Sequence, residues 1–234
     1  MKQFQNTLAL VLLISLTAQE IKGQRTHSVK DIFYLLPDTV FTSIHQLNFA
    51  TKDSFPIKER DIMIENFDAK KKTFTAKDPR FHIASINEKN NLLTASNGDL
   101  SFNVKLWSLS NNETLIAVDG YYKEDMYSQT IKFYNYKGGK ITSVNALPES
   151  FPVSLFFETE YVKKKGLNPS LDTPDLYIVF SKTGGDELQV GVQKESFDEQ
   201  IVGPKAPMAQ LAYTKIKRPD VILNLREGKF VITK

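Results

Sequence analysis

The chain has 234 residues, 30 basic and 27 acidic, for a formal net charge of +3 at neutral pH. So balanced a charge gives no electrostatic case for nucleic acid, which calls for a clustered basic face. It contains no cysteine, which excludes disulfides, a thiol nucleophile, a thiolate metal site and the lipid anchor of a bacterial lipoprotein.

Met1-Lys2, the apolar run Leu8-Ala9-Leu10-Val11-Leu12-Leu13-Ile14 and the polar residues after it have the layout of a secretory signal peptide. The run is shorter than the ~20 helical residues needed to cross a bilayer. Residues 1–23 are therefore expected to be removed, with cleavage after Ala18 or Gly23. No transmembrane segment is expected to remain. Residues 24–234 are long enough to bury a core without staples and are read as a single α+β domain.

Ser28 is placed to cap a helix from Val29 to about Leu36, with Asp31 in its first turn. Pro37 breaks it, and Val40, Phe41 and Ile44 suggest a second short helix. Ile57 to Phe67 reads as a third, with Arg60, Asp61 and Glu65 on a polar face. From Phe81 the hydrophobic period changes to two. Phe102, Val104 and Leu106 alternate with Ser101, Asn103 and Lys105, the pattern of a half-buried strand. Leu115-Ile116-Ala117-Val118 suggests a strand buried on both faces. Gly138-Gly139 joins Tyr127–Tyr136 to Lys140–Val144 as a hairpin. The state of Leu155-Phe156-Phe157 stays open. Leu176–Ser181 pairs with Leu188–Val192 around Gly184-Gly185, Glu195 to Pro207 is a loop, and Val221–Leu225 pairs with Phe230–Ile232 around Glu227-Gly228. The expected fold is α+β: short N-terminal helices packed on a mostly antiparallel sheet built from hairpins.

Chemistry is sparse along this chain. Lys182-Thr183-Gly184 matches one element of the serine β-lactamases, but no serine stands three residues before a lysine. That triplet reads as a hairpin turn. His27, His45 and His82 are widely separated and lack zinc-site spacing, so no metal or other cofactor is expected. Asn112-Glu113-Thr114 fits an N-glycosylation acceptor, which matters in a eukaryotic host alone.

The best candidate binding surface combines Tyr121, Tyr122, Tyr127, Tyr134 and Tyr136 with Asp119 and Glu124. Tyrosine rings are flat and amphipathic, and they cost little entropy to fix. If the Tyr134 and Tyr136 face is open, it stacks a sugar or peptide; if a helix covers it, it is core. Asp119 with Glu124 or Asp125 also supplies the two acids a carbohydrate-active hydrolase requires. A third reading, an apolar-ligand carrier, rests on the 16 phenylalanines.

Asp31-Ile32-Phe33 with Leu36-Pro37-Asp38, Arg60–Glu65, Leu100–Leu106, Ile131–Tyr136 and Glu227–Val231 together resemble a domain-of-unknown-function family of small exported proteins from Bacteroidetes-type bacteria. Between Phe151 and Gln210 little matches. The resemblance implies a periplasmic or cell-surface α+β domain and brings no activity, cofactor or site residues. In those bacteria exported proteins are modified at Asp-Thr/Ser-apolar triplets, which Asp38-Thr39-Val40 fits. The resulting expectation is an exported, non-enzymatic periplasmic or envelope protein that binds an envelope protein or a glycan. Its oligomeric state is left open.

Overall fold

The structure, a computed structural model, describes residues 27–44, 57–73, 75, 78–122, 129–180, 185–197 and 207–232. The signal-peptide reading, His45, Glu124, Asp125, Tyr127 and Lys182-Thr183-Gly184 lie outside the described residues.

The helices come first. Helix α1 (Val29–Leu35) begins with a reciprocal cap: Asp31 N donates to Ser28 Oγ at 3.2 Å, and Ser28 N donates to Asp31 Oδ2 at 2.9 Å. Leu36-Pro37 ends it, and the short α2 (Asp38–Thr42) follows at once. Helix α3 spans Ile57–Asp68.

Six strands then run as an antiparallel meander: β1 (His82–Asn87), β2 (Leu92–Ser96), β3 (Leu100–Ser108), β4 (Thr114–Tyr122), β5 (Thr130–Lys137) and β6 (Lys140–Val144), in spatial order β1-β2-β3-β4-β5-β6. Gly138 and Gly139 have φ of +54° and +84° between paired Lys137 and Lys140, as a two-residue hairpin of the right twist requires. After β6 the chain passes through a 3-10 turn at Val153–Leu155, which settles the open Leu155-Phe156-Phe157 stretch, and helix α4 (Thr159–Lys164). It then forms a second antiparallel sheet from β7 (Leu176–Phe180), β8 (Glu187–Val192), β9 (Asp220–Arg226) and β10 (Lys229–Ile232), ordered β10-β9-β8-β7. Part of the expected Glu195–Pro207 loop is a 3-10 turn, Lys194–Phe197.

The large sheet is the middle layer of three. One face carries Phe102, Val104, Ile116, Val118 and Tyr134, packed against Phe33 and Phe41 of the N-terminal helices. The ring centroids of Phe102 lie 5.6 Å from Phe41 and 5.4 Å from Phe81. The opposite face carries Trp107, Leu115, Ala117 and Phe133, packed against Phe180, Leu188, Val190 and Phe230 of the small sheet. Trp107 meets Phe230 edge-on at 5.1 Å, and Phe230 N donates to Ala146 O, tying β10 to the chain just after β6. Each such aromatic contributes about 1.5–3 kcal/mol through burial.

This layering corrects the reading of β3. Its Phe102, Val104 and Leu106 are buried as expected, but so are Ser101, Lys105 and Trp107 on the alternate face. A second sheet covers the face that the alternation assigned to solvent. Strand β4 is buried on both faces through Leu115–Val118, as its apolar run indicates.

A second correction concerns α3. Arg60, read as part of a polar face, is wholly buried. Its guanidinium donates to Phe33 O at 2.9 Å, to Tyr34 O at 3.2 Å, to Leu36 O, and to Asp38 Oδ1 at 2.5 Å. The last carbonyls of α1 lack helical partners, and Arg60 supplies them from the neighbouring helix.

Candidate functional site

Cross-strand register places one line of polar side chains on the small-sheet face of the large sheet. Ser85 pairs with Thr94, Thr94 with Asn103, and Asn103 with Asp119, so four neighbouring strands each contribute one residue. Thr94 Oγ1 donates to Asn103 Oδ1 at 2.7 Å, and Asn103 Nδ2 donates to Asp119 Oδ2 at 3.2 Å. Asn103 N adds a bond to Asp119 Oδ1 at 2.8 Å. One pair along, Ser101 Oγ donates to Ser96 Oγ at 3.1 Å beside Tyr121.

Gln129 closes the arrangement from the start of β5. Its Nε2 donates to Asp119 Oδ2 at 2.9 Å and to Ile178 O at 2.9 Å, while Ile178 N donates to its Oε1 at 2.7 Å. One carboxamide therefore bonds the carboxylate of the large sheet and the outer edge of β7. The line of polar residues, Tyr121, Gln129 and β7 residues Ile178–Phe180 surround a cavity of about 440 Å³.

Asp119 is 1% exposed. Burial pushes its carboxyl up to about 7, and the bonds from Asn103 and Gln129 oppose that rise without cancelling it. The Tyr121 phenol is also raised, by burial first and then by the Asp119 charge. No Lys, Arg, His or second carboxylate is among the described residues lining the cavity. Lys105 lies on the same face of β3, but its Nζ bonds Asn90 O and sits 5.4 Å from the Trp107 ring centre. Burial lowers the Lys105 ammonium.

The expected site residues separate in space. Asp119 and Tyr121 share the cavity. Tyr122, Tyr134 and Tyr136 face the helices instead. Tyr134 is 8% exposed, with its hydroxyl 3.0 Å from Ser43 Oγ, and its ring packs in the core on the helix side. The Tyr136 hydroxyl meets His27 Nε2 at 3.2 Å. Thr39, in the Asp38-Thr39-Val40 triplet, is exposed on α2, whereas Asp38 is held by Arg60.

Thr94, Asn103 and Gln129 were not foreseen as site residues. Thr94 and Asn103 each stand alone in an alternating strand, and only register lines them up with Asp119. For Gln129 no sequence signal exists, because its partner Ile178 is 49 residues away.

The phenylalanines fill the interior with ring contacts, Phe33, Phe41, Phe81 and Phe102 on one side and Phe133, Phe180 and Phe230 on the other. Among the described residues no three His, Asp or Glu side chains are grouped to hold a metal ion. Among them, too, no helix is long and apolar enough to cross a membrane.

No family model matches the chain, and no curated protein matches it either. Among solved structures it is similar to a domain of an uncharacterized protein from Porphyromonas gingivalis W83, a Bacteroidetes species. That similarity has 12% identity and a TM-score of 0.49, over 88% of this chain and 97% of that one. So slight a likeness carries no argument about function.

Proposed function

We propose that this chain is an exported, non-enzymatic protein of the periplasm or cell envelope. It binds a glycan or envelope component at the inter-sheet cavity around Asp119 and Tyr121. The observation that supports this is the buried Asp119 carboxyl, set in a line of hydroxyl and amide groups on a cavity large enough for a small polar ligand. In the sequence, Glu124 and Tyr127 lie between Tyr121 and Gln129, two residues that line the cavity.

The test has two arms. Fractionation of the source bacterium with amino-terminal sequencing is expected to find the protein outside the inner membrane, starting between Gln19 and Gln24. Screening of mono- and oligosaccharides by thermal shift is expected to find a ligand whose effect is lost in Asp119→Asn. A cytoplasmic protein with Met1 retained defeats the export reading, and ligand binding indifferent to Asp119→Asn defeats the site.

One observation favours a second reading, a carbohydrate-active hydrolase. A carboxyl titrating near 7 suits a general acid at neutral pH. Such an enzyme needs a second carboxylate ~5–9.5 Å away, and Glu124 or Asp125 is the candidate. Release of p-nitrophenol from aryl glycosides, abolished by both Asp119→Asn and Glu124→Gln, supports the hydrolase; no turnover leaves the binding role.

A further inference from the structure

The cavity has a sharper chemical character than its polarity alone conveys. It holds one buried carboxylate, and no cationic side chain lines it among the described residues. A buried charge without a counter-charge is costly, and a ligand that brings the opposite charge relieves that cost. The rest of the wall can receive hydroxyl groups: Ser85 can donate or accept, the Thr94 and Asn103 side-chain oxygens keep lone pairs to accept, and the Tyr121 phenol joins them. The nearest cation on this face of β3, Lys105, is committed to the Asn90 carbonyl.

We infer that the inter-sheet cavity takes a small hydroxylated cation, a primary ammonium carried on a polyol such as an amino sugar. The ammonium sits against the Asp119 carboxylate, and the hydroxyls bond the line from Ser85 to Asn103. This inference rests on the reading of the cavity as a binding site and names the ligand class for it. A cavity of about 440 Å³ accommodates a monosaccharide. The raised Asp119 carboxyl agrees with this, since no described residue lining the cavity brings a positive charge to hold that group ionised.

Glucosamine, N-acetylglucosamine and glucose share one skeleton and differ at the charged group, so isothermal titration with these three probes isolates the charge. At neutral pH glucosamine is expected to bind at a ratio of one, and glucose and N-acetylglucosamine at least about tenfold more weakly, the scale of one charge-assisted contact. Asp119→Asn is expected to reduce glucosamine binding by the same factor, with circular dichroism confirming that the variant is folded.

A second measurement needs no variant. Ethanolamine, whose ammonium stays fully charged at neutral pH, is expected to release protons on binding to the native protein, because its charge draws the Asp119 carboxyl below about 7. Proton release is read from titrations in two buffers of different ionisation heat.

Glucose or N-acetylglucosamine binding as tightly as glucosamine, with the signal lost in Asp119→Asn, overturns the cationic class and leaves the cavity reading standing. Glucosamine binding unchanged by Asp119→Asn, or ethanolamine binding without proton release, places the amine elsewhere and also overturns it. Binding of none of the probes at millimolar concentration overturns the inference; if the wider saccharide screen is also blank, the cavity reading fails with it.

Discussion

Gln129 Nε2 lies 2.9 Å from Asp119 Oδ2, and the same carboxamide bonds the backbone of Ile178 through both of its polar atoms. One side chain thus carries a hydrogen-bonded connection between the two sheets at the cavity. Gln129→Ala leaves Ile178 N–H and C=O without these partners and is expected to cost about 2–3 kcal/mol in urea unfolding. Gln129→Glu places a second carboxylate beside Asp119 and is expected to cost more at pH 8 than at pH 5.

The pH dependence of stability carries a signature of Asp119. Its folded-state carboxyl titrates at about 7, above the ordinary 3.8. A raised carboxyl contributes most below its unfolded value, and that contribution is lost as pH rises through the folded value. The native protein is therefore expected to lose roughly 4 kcal/mol from this group between pH 4 and pH 8. Asp78 and Glu113, whose carboxyls are lowered by Lys71 and Lys137, act in the opposite direction at more acid pH. Comparing native and Asp119→Asn proteins by denaturant unfolding across this range isolates Asp119: the difference is expected to shift toward the variant from about pH 4 to pH 7 and to level off above that.

Arg60 links three segments, since it reaches the end of α1, the Leu36-Pro37 turn and Asp38 of α2. Its planar fork suits several acceptors at once, which a lysine ammonium cannot reproduce. Arg60→Ala is expected to cost about 3–5 kcal/mol, and Arg60→Lys to recover only part of it. Asp38→Asn is expected to cost less, because the Asp38 side chain is 38% exposed and three backbone carbonyls remain to Arg60.

The elements with local causes were legible in the sequence. Ser28 with Asp31 marked a helix start, Pro37 its end, and Gly138-Gly139 and Glu227-Gly228 two hairpins. Each of these signals lies within a few residues of its effect. The division into two sheets was not legible, because the packing of Trp107 on Phe180 and Phe230 joins residues far apart in the chain. That same packing hides Lys105, which alternation assigned to solvent. Arg60 misled for a similar reason: the carbonyls it serves belong to another helix. Of the candidate site, Asp119 and Tyr121 were anticipated and the line from Ser85 to Asn103 was not, since only strand register creates it.

Gly191 of β8 faces Tyr177 of β7, and a Cβ there would meet the tyrosine ring at 2.3 Å. The glycine leaves room for the ring to lie across the strand. Gly191→Ala is expected to cost about 1–3 kcal/mol by displacing that ring. In a Tyr177→Leu background the cost is expected to shrink, and a double-mutant cycle in urea measures the coupling.

Asp119 is a buried carboxyl in the inter-sheet cavity, with no counter-charge among the described residues that line it. Carbon-13 NMR of the aspartate carboxyl groups across pH, with Asp119 assigned by its loss in Asp119→Asn, tests that most directly. The expected midpoint for Asp119 in the free protein is near 7. A midpoint at the ordinary 3.8 would contradict it, showing a carboxylate already compensated.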